Sequence, residues 1–315
     1  MMRKVPLIAL GTWSWGSGLG GGDQVFGNSI DTNDVKPIFD AAMQAGLNLW
    51  DTAAVYGEGT SETILGECLK GYDRAEVMIS TKFTPQVAGE SDDPVHQMCS
   101  ESAARLHTDY IDIYWIHNPA DVEKWTPGLI PLLKSGKVKH VGVSNHNLKQ
   151  IIQANSILGK EGFRISAVQN HYSLLYRSSE DAGIIDYCYR NEITFFAYMV
   201  LEQGALNGKY NSTSPLPENS ARAATYNKLL PQLEELTAEM KTVSESHNAS
   251  VAQIAIAWAI AKKTLPIIGV TKLSQVADAI SAAKISLSEQ EVGKLDKLAK
   301  KTGIDTKGGW ENPMT

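Results

Sequence analysis

Three stretches of the chain, Leu47-Asn-Leu-Trp-Asp-Thr52, Val77-Met-Ile-Ser-Thr-Lys82 and Ile111-Asp-Ile-Tyr-Trp-Ile-His117, share one design. Each is a short apolar run that closes on a polar or charged residue. Short runs rich in Val, Ile and Leu, bounded by turn residues, are the pattern of parallel strands buried on both faces. Working outward from them, strands are expected at 6–10, 47–51, 77–81, 111–116, 138–143, 167–169, 193–197 and 266–268. Between them, apolar residues recur at three- and four-residue spacing over 34–45, 61–69, 94–106, 148–158, 181–190, 251–261 and 274–283, the period of amphipathic helices. Gly46, Gly71 and Gly159 follow helices where a left-handed C-cap is wanted, and Asn147 and Ser250 stand at N-cap positions. Strands alternating with helices, with no polar linker between halves, predict an α/β fold: a (β/α)8 TIM barrel, one domain over residues 1–315. A doubly wound open sheet is the alternative.

Two segments exceed that plan. From Tyr198 to Gly269 there is room for about two strand–helix units where one suffices. The excess is an insertion after strand 7: a loop at 211–220 and a further helix at 226–246. The C-terminus adds a helix at 288–300 and a polar tail. A long loop after a barrel strand lands on the catalytic face, so a functional cover is expected; a plain surface insertion is the other reading.

The composition narrows the function classes. The chain has 315 residues, 43% hydrophobic and 20% charged, with a formal net charge of −6. That balance argues against a nucleic-acid platform, while leaving a locally basic site for an anionic cofactor open. Three cysteines, Cys68, Cys99 and Cys188, are sparse and far apart, as expected for a reduced, cytoplasmic protein. Residues 1–6 are too short for a secretory signal. The longest apolar run, 251–261, is interrupted by Gln253 and too short for a membrane span. The seven histidines are scattered, without an H-x-x-x-H or C-x-x-C spacing, so no metal site is expected. Nothing in the sequence speaks to the oligomeric state.

Gly16-Ser-Gly-Leu-Gly-Gly21 satisfies G-x-G-x-x-G. A dinucleotide fingerprint must also open a helix, and here Asp23-Gln-Val-Phe-Gly-Asn28 follows, with the next helix expected near Asp34. A mobile glycine loop at the substrate mouth is the preferred reading.

The chemistry is carried by four residues at the ends of successive strand–helix units: Asp51, Tyr56 in the turn beyond it, Lys82 and His117. All C-terminal strand ends of a parallel barrel ring one face, so these residues converge. A tyrosine with a reference pKa of ~10 exchanges protons poorly at neutral pH, and a neighbouring ammonium favours its phenolate. Lys82 supplies that charge, Asp51 holds Lys82, and His117 orients a carbonyl through a hydrogen bond. Taken singly each has a duller reading: a helix cap for Asp51, a solvent-reaching stem for Lys82, a satisfied polar group for His117, rim packing for Tyr56. Trp13, Trp15, Tyr56, Phe83, Trp115 and His117 are expected to line the substrate rim, with Trp115 pointing the same way as His117 along its strand.

From about Leu10 to Ala283 the sequence resembles the aldo-keto reductases. The landmarks occur in family order: Leu10-Gly-Thr-Trp13, Asp51-Thr-Ala-Ala-Val-Tyr-Gly57, the Lys82 and His117 strand ends, Gly142-Val-Ser-Asn145, Val168-Gln-Asn-His-Tyr172, Gly204-Ala-Leu-Asn-Gly-Lys-Tyr210 and Ile268-Gly-Val-Thr-Lys272. The resemblance implies an NAD(P)H-dependent carbonyl reductase with Tyr56 as proton donor, and a cofactor lying across the barrel face. Thr12 and Trp13 match first-strand contacts. Ser144, Asn145 and Gln169 match the residues that hold the cofactor's carboxamide, and Tyr198 the ring that stacks on the nicotinamide; Asp51 and Met199 are further cofactor contacts. Leu201, Gln203, Gly204, Leu206 and Lys209 match the stretch over the pyrophosphate. Gly269, Thr271, Lys272, Gln275 and Asp278 match the adenosine end, where Lys272, and Arg222 from the insertion, can pair with a 2′-phosphate. This favours NADP(H), with NAD(H) as the other possibility. The Gly204–Tyr210 stretch and the short tail are more similar to the bacterial and potassium-channel-β branch than to the aldose reductase branch. Met199-Val200 and Ala279 depart from the family's usual Ser-Pro and Asn. Two other functions share these residues: a cofactor-sensing regulatory subunit of the same fold, and a lyase or aldolase forming a Schiff base on Lys82.

Overall fold

The computed structural model describes residues 5–28, 30–218 and 220–314. Residues 1–4, Ser29, Asn219 within the 211–220 loop and Thr315 lie outside that description. Eight parallel strands close into a barrel: β1 (Ala9–Gly11), β2 (Leu49–Asp51), β3 (Met78–Phe83), β4 (Ile111–Ile116), β5 (Val138–Ser144), β6 (Ala167–His171), β7 (Thr194–Tyr198) and β8 (Leu265–Gly269). The seam is β1 on β8, with Leu10 level with Ile268 and Gly11 with Gly269. Closure removes every sheet edge, so the open doubly wound alternative is set aside.

The barrel interior is filled by Ala9, Leu49, Met78, Ile113, Trp115, Ala167, Phe196 and Leu265. Trp115 lies edge-on to Phe196, ring centroids 5.2 Å apart. A second core joins the outward strand residues to the helices. A filled barrel leaves only the strand ends and their loops to build a site.

Side-chain caps fix where several helices begin. Asp31, Asn147, Ser250 and Ser288 each accept from a first-turn amide, and the residue three further on returns the bond. Such reciprocal caps satisfy amides that a helix end otherwise leaves orphaned. The helix expected over 181–190 is split into Ser178–Asp181 and Ile184–Arg190, because Gly183 between them is left-handed (φ 74°). Gly159 is the last helical residue rather than a C-cap, and the chain turns left-handed at Gly162 instead (φ 77°). Two helices not anticipated, Val122–Trp125 and Leu129–Ser135, join β4 to β5. The insertion after β7 carries helices Ala221–Tyr226 and Leu230–Ser246 before Val251–Ala261 leads into β8. Among the described residues no helix is long and apolar enough to cross a membrane.

Candidate active site

β2 and β3 pair with Asp51 level with Ser80, and β3 and β4 with Lys82 level with Trp115. Alternation along β3 therefore sends Ser80 and Lys82 to the same face as Asp51. Lys82 Nζ donates to Asp51 Oδ2 at 2.6 Å and to the Thr52 carbonyl at 2.7 Å, and lies 3.4 Å from the Tyr56 hydroxyl. The Lys82 side chain has no exposure and that of Asp51 5%. Asp51 Oδ1 accepts from Ser80 Oγ at 2.6 Å and from Gln169 Nε2 at 3.0 Å. Burial works against the Lys82 ammonium, but Asp51 and Tyr56 outweigh it and hold its pKa above the ordinary lysine value.

Tyr56 opens a tight turn, Tyr56–Gly59, whose shape depends on Gly57. Gly57 is left-handed (φ 57°), and a Cβ there would stand 2.2 Å from Thr60 Oγ1 and 2.7 Å from the Ser17 carbonyl. Burial pushes the Tyr56 phenol above its usual value of 10, and the pull of Lys82 in the other direction does not cancel it. The sequence suggested net lowering; burial reverses that, so the phenol is held in its protonated form.

His117 follows β4, its amide donating to the Phe83 carbonyl at 2.8 Å. Its ring stands edge-on to Tyr56, centroids 6.0 Å apart. Burial, then the Lys82 charge, holds the imidazole well below its ordinary pKa, so it is neutral. Thr84 Oγ1 lies 2.9 Å from His117 Nδ1. When that hydroxyl donates, Nε2 carries the ring proton and serves as a donor.

These groups form one end of a cleft of about 1190 Å³ across the strand ends. Its middle holds Ser144, Asn145, Gln169 and Tyr198; Ser144 pairs level with Gln169, and the Asn145 amide donates to the Gln169 carbonyl at 3.1 Å. Asn145, Met199 and Gln203 are left-handed (φ 61°, 61° and 51°). Non-glycine residues held there store strain that only a well-determined surrounding supports. The far end holds Leu201, Gly204, Lys209, Arg222, Gly269, Thr271, Lys272, Gln275 and Asp278. Lys209, Arg222 and Lys272 enter no ion pair among the described residues, whereas Asp278 accepts from Gln253 Nε2 at 2.7 Å. Arg222 donates from Nη1 to the Gln203 carbonyl at 3.1 Å, and its buried Nε has no hydrogen-bond partner among the described residues.

Five residues expected at the cofactor or the rim do not line the cleft. Trp15 is wholly buried; its indole donates to the Val270 carbonyl at 2.7 Å and packs on Trp50 at the barrel seam. Phe83 points outward against Trp125. Trp115 is sealed in the barrel interior and donates to Ser80 Oγ at 2.5 Å. Thr12 turns its hydroxyl to Ser61 Oγ at 2.8 Å, and Leu206 is in the core. None of the five lines the cleft. Trp13 does, stacked on Tyr56 with centroids 5.9 Å apart and donating to the Gly20 carbonyl at 3.2 Å. The glycine loop thus wraps the mouth. A short helix, Gly22–Phe26, follows it directly, before the long one at Thr32–Gln44. Phe26, Thr84, Gln86 and Asn118 also line the cleft without being expected there. Only Thr84, two positions beyond Lys82, carried a usable signal.

A closed parallel barrel with a Tyr–Lys–Asp–His cluster at its strand ends, beside a long cleft edged by unpaired cations, defines a class of barrel oxidoreductases. The chain belongs to the aldo/keto reductase family, whose model matches residues 7–300. It is 30% identical to the chloroplastic pyridoxal reductase of Arabidopsis thaliana, over 95% of this chain and 84% of that one. Among solved structures it is similar to a glycerol dehydrogenase of Gluconobacter oxydans (TM-score 0.80, 24% identity, 97% and 94% of the two chains). It is also similar to an aldo/keto reductase of Klebsiella pneumoniae in complex with NADP and acetate (TM-score 0.73, 24% identity, 98% and 95%).

Proposed function

We propose that this protein reduces an aldehyde or ketone to an alcohol with NADPH, Tyr56 giving the proton. The observation that carries the reading is the Tyr56 hydroxyl, 3.4 Å from a buried, ion-paired Lys82, on a cleft lined by three cations that enter no ion pair among the described residues. That donor set fits a dinucleotide: amide and hydroxyl groups in the middle for a carboxamide, and Lys209, Arg222 and Lys272 for phosphates.

When bound, the nicotinamide supplies the hydride. The protein's part is to place the carbonyl and manage its proton. His117, neutral and fixed by Thr84, donates from Nε2 to the carbonyl oxygen. Tyr56 stays protonated in the resting site and gives up its proton as charge builds on that oxygen, and the Lys82 ammonium stabilises the phenolate left behind. Asp51, Ser80 and the Thr52 carbonyl keep Lys82 in place. Asn145, Ser144 and Gln169 would hold the carboxamide of a bound nicotinamide, and Tyr198 would face the nicotinamide ring. Lys209, in the stretch with Gln203 and Gly204, would take the pyrophosphate, and Arg222 would join Lys272 at the 2′-phosphate. Lys272 takes the 2′-phosphate, with Gln275 and Thr271 shaping its turn. NAD(H) fits the same cleft but leaves Lys272 without a partner. Trp13, Tyr56, Phe26 and Trp310 form an aromatic mouth for the carbonyl's substituent. A Schiff base on Lys82 is disfavoured, because its ammonium is inaccessible and fully engaged.

Tyr56→Phe tests the reading. NADPH oxidation over a panel of aldehydes and ketones is expected to fall by about a hundredfold or more, with NADPH binding retained. Turnover near the wild-type rate in that variant refutes Tyr56 as the donor.

A further inference from the structure

The chain beyond the last helix is not an idle tail. Thr306, Glu311 and Met314 are buried, and Trp310 meets Trp13 edge-on across the mouth, centroids 6.0 Å apart. Thr306 Oγ1 donates to Glu202 Oε1 at 3.0 Å. Glu311 reaches deepest. Its Oε1 lies 2.9 Å from His171 Nδ1 and 3.0 Å from the Tyr198 hydroxyl.

His171 and Tyr198 are level on β6 and β7. Their rings stack, centroids 5.5 Å apart and planes at 23°, and Tyr176 stacks on the other face of His171 at 4.4 Å. His171 Nε2 lies 2.9 Å from Glu202 Oε1, so the imidazole bridges two carboxylates, all three side chains being unexposed. Burial alone would lower the imidazole pKa; Glu202 and Glu311 outweigh it and raise the value to about 9. Both ring nitrogens therefore donate, one to each carboxylate, in a site without solvent exposure. On its other side the Tyr198 hydroxyl lies 2.6 Å from Asn145 Oδ1. The Asn145 amide in turn donates to the His117 carbonyl at 3.0 Å and to Asn118 Oδ1 at 3.2 Å. An unbroken line of contacts thus runs from the tail, through the ring at the middle of the cleft, to the catalytic end.

An oxidised nicotinamide ring is cationic and a reduced one is neutral. Charge placed behind a ring in a low-dielectric interior discriminates between such states over several ångströms. We propose that Glu311 is a positioning residue for the nicotinamide, acting through Tyr198, and that its carboxylate biases the cleft toward the oxidised form of the cofactor. The same bias favours hydride departure, in which positive charge develops on the ring. The inference rests on the cofactor assignment proposed above.

The test is a fluorescence titration of NADP+ and, separately, NADPH onto the full chain, as wild type, Glu311→Gln, Tyr198→Phe and the double variant. Glu311→Gln is expected to weaken NADP+ by about tenfold and NADPH by about twofold. Tyr198→Phe removes the hydroxyl contact but leaves the carboxylate behind the ring, so the NADP+ preference is expected to survive it. The double variant is expected to show the ratio of Glu311→Gln, since the charge is gone in both. Equal losses for the two cofactor forms in Glu311→Gln, or a Tyr198→Phe variant that loses the preference as Glu311→Gln does, overturn the proposal while leaving the cofactor assignment intact. Should Glu311→Gln fail to fold, His171→Gln, which takes the imidazole away from Glu311, is titrated in its place and is expected to raise the NADP+ preference; an unchanged ratio there overturns the proposal. A wild-type protein that binds neither form overturns the cofactor assignment and this inference together.

Discussion

Replacing Lys82 by Met leaves the Asp51 carboxylate in a site with almost no solvent. In the intact protein Asp51 Oδ2 takes the Lys82 ammonium at 2.6 Å, while Oδ1 has Ser80 and Gln169. The variant strips Oδ2 and also takes the donor from the Thr52 carbonyl. Breaking a buried pair from one side costs about 3–5 kcal/mol, chiefly because the remaining charge is uncompensated. Asp51→Asn alone strands the ammonium less severely, since Thr52 and Tyr56 remain as acceptors, and about 2–3 kcal/mol is expected. The double variant buries no charge and is expected within about 2 kcal/mol of wild type, giving a favourable coupling of at least about 3 kcal/mol in the cycle. The assay is urea unfolding of the four proteins followed by tryptophan fluorescence. A Lys82→Met cost below about 1 kcal/mol, or a double variant equal to the sum of the singles, refutes the uncompensated-charge argument.

Three further outcomes are expected. Trp13→Ala raises KM several-fold because Trp13 lines the mouth, whereas Trp15→Phe leaves KM unchanged and costs about 1–3 kcal/mol of stability by orphaning the Val270 carbonyl; the reverse pattern in steady-state kinetics and urea melts restores Trp15 to the rim. Lys272→Ala weakens NADPH by about tenfold and NADH little in a fluorescence titration, and equal losses remove the 2′-phosphate assignment. His171, raised to about 9 from 6.5, stabilises the fold fully below pH 6.5 and loses that contribution as pH rises through about 9. The urea midpoint is therefore expected to fall across that window by the equivalent of roughly 3 kcal/mol in wild type and much less in His171→Gln. A wild-type midpoint that stays flat from neutral pH to above 9 contradicts it.

The architecture was legible because buried parallel strands leave a coarse mark: an apolar run, a polar terminus, then a helix with its cap. The four clustered residues were legible for the same reason, since a barrel brings every strand end to one face. What the sequence misjudged was depth. Trp115 does point inward with His117, but the interior is filled in layers, and a residue two steps down the strand belongs to the packing rather than the mouth. Phe83, one step beyond Lys82, faces the helices by the same alternation. Trp15 read as rim because an aromatic after the first strand matches that role, yet its partner is the Val270 carbonyl, 255 positions later. Burial likewise reversed the expected lowering of the Tyr56 phenol. The tail was opaque, because Gly308-Gly309-Trp310-Glu311 has no periodicity and its partners Glu202 and His171 lie more than a hundred positions away.

The docking of that tail separates two events in the life of the molecule. A ribosome has delivered all eight strands before it delivers Glu311, so a nascent chain can close its barrel while Tyr198 still lacks this acceptor. Loss of Glu311 would leave altered contacts around Tyr198. Preparations of equal purity can then differ in the fraction of competent molecules, and counting sites by cofactor titration is a better measure of quality than mass or melting temperature.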